Sequence, residues 1–246
     1  MHVFLRRFSD FSSSVFRRAR VRYQRIVRPQ VVRHQGIWVP VSGPLSETAR
    51  QSLFSGRYEL LESDMLKEKL GPSDRVVEFG SGLGVTATVC AQICGSESTY
   101  TYEPNPELIP LIRKVFDMNN VNPTLHNAAA AKEPGEEDLF VNEDFFSTSV
   151  YRRENTKCKV RCQTVGLANV LEDIQPTFVL MDIEGAEYDL IGSEIHSSVR
   201  KFLIEKHEGA LGPSKVEEVL NWITTEGFTL IEERRYMAYF ERLKTN

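Results

Sequence analysis

Cysteine is scarce in this chain, with four residues among 246, and none sits in the two-residue knuckle of a zinc ribbon. The four form two wider pairs, Cys90/Cys94 and Cys158/Cys162. The first pair falls on one helical face near Val89 and Ile93. The second alternates with Lys157, Lys159 and Arg161, the two-residue period of a strand with one buried face. Both pairs therefore read as core, and reduced thiols without a secretion signal point to the cytoplasm. Long apolar runs are missing too, which excludes a membrane-spanning or secretory segment. The GxGxxG turn of dinucleotide folds is absent, as is any Tyr-x3-Lys pair. Both absences weigh against a nicotinamide-dependent sugar oxidoreductase or epimerase.

Acid is nearly absent from one end. Residues 1–35 hold nine arginines against the single acid Asp10, a local charge of +8, so the total of −4 leaves −12 on the remainder. Phe4, Leu5, Phe8, Phe11, Val15 and Phe16 interleave with these arginines at roughly helical spacing. Three readings of this arm stay open. It packs on the acidic body, it rests on anionic lipid at the inner face of a membrane, or it serves as an organellar presequence. Nucleic acid is not expected, because no aromatic stacking array or basic motif follows in the body. The chain is accordingly divided into a basic arm over 1–35 and one α/β domain over 36–246.

What is present begins with RVVEFGSGLG, Arg75 to Gly84. An apolar run that breaks into Gly80, Gly82 and Gly84 describes a buried strand feeding a tight turn, whose bare backbone lets a ligand approach the following helix. A second strand, Thr99 to Glu103, ends in a carboxylate roughly twenty residues on, where an acid can take both hydroxyls of a ribose. Ser46 caps the first of two lead-in helices, Gly56 breaks it, and Gly71-Pro72 ends the second. Asn105-Pro106-Glu107 opens a helix whose face is Leu108, Leu111, Ile112, Val115 and Phe116. Residues 139–165 read as a hairpin insertion around Phe145 to Ser149. Phe178 to Met181 is apolar up to Asp182, as a strand covered on both faces must be. Phe202 to Ile204 is the next strand. Ser214 to Glu217 spells a capping box for a helix stopped by Gly227, and Phe228–Ile231 with Tyr236–Phe240 closes the chain as an antiparallel pair. This alternation predicts a mainly parallel sheet with helices on both faces and a C-terminal hairpin.

In such a sheet, ligands collect beyond the carboxyl ends of the strands, which puts Glu78, Glu103, Asn127, Asp182, Glu205 and His207 in view. The segments VEFGSGLG, Thr101 to Asn105 and MDIEGAEYDLI resemble the FkbM family of S-adenosylmethionine-dependent methyltransferases, with the DxEGAE element at Asp182–Glu187 the most distinctive. The resemblance covers about residues 45–240 and leaves the basic arm outside. It implies a Rossmann-like class I methyltransferase with a seven-stranded sheet. It also implies O-methylation of a hydroxyl on a sugar, a glycan or a secondary metabolite. Mapped onto this chain, Gly80, Gly82 and Gly84 would receive the methionine part of S-adenosylmethionine, Glu103 the ribose, and Asn127 and Ala128 the adenine, with Glu78 also counted among the cofactor-binding residues. Tyr58 and Glu62 are weaker candidates for closing the pocket. Either His207 takes the acceptor proton with a carboxylate orienting it, or Asp182 does so directly. Glu187 reads equally well as an answer to the helix dipole. No metal is assigned, although a divalent cation on Asp182 and its acidic neighbours would suit hard oxygen ligands. Substrate choice is expected in the loops 142–156 and 208–214, and a non-catalytic adaptor acting through the arm is the remaining alternative.

Overall fold

The computed structural model describes residues 21–22, 26–27, 29–42, 45–142, 148–149 and 156–243, with the backbone alone at 141–142, 148–149 and 156–158. The helical stretch expected over 4–16 and the segment Phe145–Ser147 lie outside these residues. After helical residues at 21–22 and 26–27 comes a hairpin that periodicity did not disclose, β1 (Val31–His34) on β2 (Ile37–Pro40). Its Val32, Ile37 and Val39 are buried in one cluster with Leu53, Met65 and Val89. Then come helices α1 (Glu47–Ser55) and α2 (Leu60–Lys69). The Ser46 hydroxyl accepts from the Ala49 amide, and Gly56 ends α1 in the left-handed region at φ 73°, as the cap chemistry requires.

The strand-turn-helix is β3 (Val76–Phe79) and α3 (Val85–Cys94), followed by β4 (Thr99–Tyr102), α4 (Ile109–Met118) and β5 (Thr124–His126). Helix α4 begins three residues later than Asn105 would place it. The Asn105 side chain accepts from the Glu107 amide, which spends it on a turn before the helix rather than on a cap. Next are β6 (Ala129–Ala131), β7 (Gly135–Asn142), β8 (Thr148–Ser149) and β9 (Thr156–Gly166). The expected hairpin insertion is larger than a hairpin, since β6 joins it to make a four-stranded sheet of order β6-β9-β7-β8. The chain continues through α5 (Leu167–Ile174), β10 (Phe178–Met181), β11 (Lys201–Glu205), α6 (Glu208–Leu211), α7 (Pro213–Thr225), β12 (Thr229–Arg234) and β13 (Met237–Glu241). Helix α7 starts on Pro213 behind Gly212 with no side-chain cap. The capping box of Ser214 therefore does not form, because Ser214 is already inside the first turn.

The main sheet has seven strands in the order β12-β13-β11-β10-β3-β4-β5, parallel except where β13 joins β11 and β12. Alternation along its central strands splits the core in two. Val76, Phe178, Leu180 and Leu203 pack with α1, α2 and α3, whereas Val77, Val179, Met181, Phe202 and Ile204 pack with α5 and α7. Helices thus cover both faces, and each fully buried Leu, Ile, Val or Phe contributes about 1.5–3 kcal/mol. Cys90 and Cys94 belong to the first cluster, and Cys162 packs with Ala129 and Leu139 under the small sheet. At the amino edge, Asp74 Oδ2 accepts from Lys201 Nζ at 2.7 Å and from the Gly71 amide at 2.8 Å, while Oδ1 accepts from the Thr177 hydroxyl. That cluster ties the starts of β3, β10 and β11 together and leaves the carboxyl edge for function. Among the described residues no helix is long and apolar enough to cross a membrane.

Candidate active site

Register decides which residues meet. Phe79 is level with Met181 and Tyr102, Met181 with Ile204, and Tyr102 with His126. The next residue on each strand therefore lies on one line at the carboxyl edge, in the order Glu205, Asp182, Gly80, Glu103 and Asn127. A cavity opens above that line, lined among others by Tyr58, Gly80, Gly82, Glu103, Ala128 and Asp182.

Glu103 is buried at 4% exposure and fixed over the glycine turn. Its Oε2 accepts from the Gly82 amide at 3.0 Å and its Oε1 from the Asn105 amide at 2.8 Å. The two sequence features that had to be adjacent are thus in direct contact. Burial pushes the Glu103 carboxyl up to about 8 against the pull of those two amides. The Asn127 amide donates to the Glu103 and Pro104 carbonyls, so it braces the loop from outside the lining, while Ala128 faces the cavity. Phe79, Tyr102 and His126 stack in sequence, with centroids 5.2 and 4.6 Å apart, and the first two give the cavity an apolar floor.

The three glycines do different jobs. A Cβ on Gly80 would lie 1.7 Å from the Asp182 carbonyl oxygen, so this glycine lets the β3 and β10 ends close on each other. On Gly82 it would meet the Tyr58 hydroxyl at 2.6 Å and Glu59 Oε1 at 2.8 Å. Gly84 stands away from the cavity, under Ile112 and Phe116, and its part is to let α4 pack on the start of α3. Glu78 also lies below the cavity. Its side chain points into the first core cluster's face and accepts from the Thr101 hydroxyl, and burial pushes it up to about 7. Both stand close to the turn in sequence, but neither the buried Glu78 carboxylate nor the Gly84 backbone is part of the cavity lining.

Tyr58 caps the turn, its hydroxyl accepting from the Leu83 amide at 3.1 Å. Its neighbour Glu59, which sequence reasoning did not single out, lines the cavity with a left-handed backbone at φ 43°; Glu184, also in the lining, has φ 58°. Such conformations in residues other than glycine cost on the order of 1–3 kcal/mol and gather at functional sites.

His207 is the hub of the acidic side. Its Nε2 is 3.3 Å from Asp182 Oδ1 and 3.9 Å from Glu205 Oε1, and its Nδ1 is 2.9 Å from Glu187 Oε1, an ion-pair contact lying off the ring N–H axis. Burial opposes charge on the ring, but Asp182 and Glu187 outweigh it and push the imidazole up to about 12. Glu187 is 1% exposed and accepts from the Ile183 amide at 3.0 Å, so it braces the loop after β10 from within. The element that holds it is a short 3-10 turn, Ala186–Leu190, rather than an α-helix. Glu62 and Glu205 complete the cluster. Burial and Asp182 push Glu205 up to about 10, and burial pushes Glu62 up to about 7.

A family profile described as the methyltransferase FkbM domain matches residues 78–230, which spans Glu78, the glycine turn, Glu103 and the whole Asp182–Glu187 element. The chain belongs to the FkbM methyltransferase family. It is an S-adenosylmethionine-dependent methyltransferase with a Rossmann-like fold. No curated protein matches this FkbM chain in sequence. Solved structures resemble it distantly. The ribosomal protein L11 methylase from Lactobacillus delbrueckii subsp. bulgaricus is 10% identical with a TM-score of 0.48, covering 76% of this chain and 79% of that one. The tRNA m1G37 methyltransferase from M. jannaschii is 12% identical with a TM-score of 0.48, covering 87% and 55%. TYW2 from M. jannaschii, in complex with AdoMet, is 12% identical with a TM-score of 0.42, covering 87% and 86%. Likeness at this level carries no acceptor over to the FkbM chain.

The cavity suits the cofactor on its own terms: a buried carboxylate over a glycine turn for ribose hydroxyls, an apolar floor of Phe79 and Tyr102, and small walls at Ala128–Ala130 for a purine. One consequence concerns stability. Glu78 and Glu103 have folded-state affinities for a proton raised above the usual 4.5, to about 7 and about 8. Their contribution is fully present below pH 4.5 and is lost as pH rises through those values. The cofactor-free protein should therefore lose a few kcal/mol, on the order of 10 °C in midpoint, between pH 6 and 9. Thermal melts across that range check it, and Glu78→Gln should flatten the slope.

Proposed function

We propose that this chain transfers the methyl group to a hydroxyl oxygen of a sugar or glycan acceptor. One observation supports it above the others: Asp182 lines the cofactor cavity, His207 lines an adjoining one, and Glu184 and Glu205 line both. The second cavity, of about 650 Å³, has Lys206, Glu208, Arg235 and Tyr236 around it, and a space in the range of roughly 300–1,000 Å³ suits a small polyhydroxylated ligand. Gly209 and Ala210 of the expected substrate loop are in its wall.

In this reading Glu103 holds the ribose, Gly80 and Gly82 admit the chain of the cofactor, and Ala128 flanks the purine. Bound there, S-adenosylmethionine supplies a methyl group on a sulfonium sulfur, whose C–S bonding pair stays with sulfur as the new C–O bond forms. Asp182 accepts the hydroxyl proton. His207, held charged between Asp182 and Glu187, orients that carboxylate instead of acting as the base itself. Tyr58 and Glu59 shield the turn from water. Buried free thiols at Cys90, Cys94 and Cys162 suit the reducing cytoplasm.

The cofactor half is tested by Glu103→Ala, expected to weaken calorimetric binding of S-adenosylhomocysteine at least tenfold. Affinity equal to the wild type would remove the ribose role. The acceptor half is tested by labelled-methyl transfer into a cell extract. Label should enter an alkali-stable, nuclease-resistant carbohydrate fraction, as an ether would. Label released by ribonuclease would overturn the hydroxyl-on-glycan reading.

A further inference from the structure

We propose that Asp182, Glu205 and His207 form a binding site for one divalent cation at the junction of the two cavities. One ligand atom from each lies within 4.8 Å of the others, a spread a single ion can bridge. They are displayed by neighbouring strands, Asp182 directly after β10, Glu205 at the end of β11 and His207 two residues on, so the sheet itself sets their spacing.

Three further features point the same way. Glu187 contacts the Nδ1 side of His207 and is itself held by the Ile183 amide. A carboxylate behind a ring nitrogen is the usual support for a metal-bound histidine, because it fixes the ring and leaves the other nitrogen facing outward. Here the outward atom is Nε2, which faces Asp182 and Glu205. The second feature is Glu62, only 5% exposed, placed against Glu205 and Asp182, with an Oε2 that has no hydrogen-bond partner. The third is charge. Glu62, Glu184, Asp182 and Glu205 all border the cofactor cavity, and among the described residues the one ring contacting Asp182 and Glu205 is already engaged by Glu187. A sulfonium would answer part of this negative charge, yet it would have no use for an imidazole nitrogen.

Two carboxylates and one imidazole form a mixed donor set better suited to manganese, iron or zinc than to magnesium, which favours oxygen alone. The catalytic use of the ion rests on the hydroxyl-transfer reading. There it would hold the acceptor oxygen and ease its deprotonation, with a second Asp182 oxygen left to take the proton.

The test is titration of metal-stripped full-length protein with Mn²⁺, without cofactor, read by electron paramagnetic resonance and by pulsed detection of nitrogen coupling. One Mn²⁺ per chain with a histidine nitrogen in its coordination sphere is expected. His207→Gln should abolish the nitrogen coupling and weaken binding at least tenfold, and Glu187→Gln should weaken it about 10- to 100-fold while keeping the coupling. Wild-type protein that binds S-adenosylhomocysteine but takes up no Mn²⁺, Zn²⁺ or Mg²⁺ at millimolar concentration overturns the site and leaves methyl transfer untouched. Manganese bound without nitrogen coupling in the wild type also overturns it, whether or not the variants fold. Tight Mn²⁺ with no cofactor binding would instead keep the site and remove the methyltransferase reading of the cavity.

Discussion

Asp182→Asn is expected to lower turnover by about a hundred- to ten-thousand-fold while cofactor affinity stays within a few-fold of the wild type. The substitution keeps size and shape. It removes the negative charge that His207 Nε2 faces at 3.3 Å, and with it the group proposed to take the acceptor proton. Cofactor contacts should survive because Glu103, the carboxylate proposed for the ribose, belongs to a different strand end and depends on the Gly82 and Asn105 amides. Calorimetry with S-adenosylhomocysteine alongside a transfer assay separates the two effects. Wild-type turnover in this variant would eliminate Asp182 as base and as ligand alike. A large loss of cofactor affinity would show that the strand ends are more tightly coupled than their separate hydrogen bonds imply.

Gly80→Ala should be the most damaging single methyl group in the protein, costing more than about 3 kcal/mol of stability. Two penalties coincide. The residue sits at φ 92°, a region that side chains disfavour, and the new Cβ would lie 1.7 Å from the Asp182 carbonyl oxygen. That oxygen is main chain, fixed where the Asp182 amide bonds to the Phe79 carbonyl, so it cannot swing aside. Relief requires β3 and β10 to part at the carboxyl edge, which carries Asp182 away from Glu205 and His207. Gly82→Ala is the informative contrast, because its new contacts are the far ends of the Tyr58 and Glu59 side chains. It should cost less stability and more cofactor affinity. Denaturant titrations of the two variants check the ranking, and a loss below 1 kcal/mol for Gly80→Ala would show that the strand ends are free to move.

The sheet was legible because its signals are local. The apolar run Phe178–Met181, the glycines after Phe79 and the alternation near Cys162 each lie within a few residues, at the period of the element they form. The ends of those strands then gave most of the site, since a parallel sheet brings its carboxyl ends to one edge whatever lies between them. Less legible were features with remote partners. The β1–β2 hairpin takes its reason from a core it joins far along the chain, and β6 from pairing with β9. Asn105 and Ser214 both carry capping chemistry, but Asn105 is spent on a turn and Ser214 is overtaken by Pro213.

By itself, the sequence determined the strand-turn-helix, the carboxylate one strand over, and the acids of the DxEGAE loop, because residue type and short-range period dictate where a strand ends and what stands there. Only the tertiary structure decided which of these groups face one another. Glu103 meets Gly82, Glu78 and Gly84 lie outside the cavity lining, and Glu187 backs His207 against Asp182 and Glu205. The physical reason is that register and side-chain direction are fixed by packing on both faces of the sheet, and burial then sets the proton affinities on which the chemistry depends.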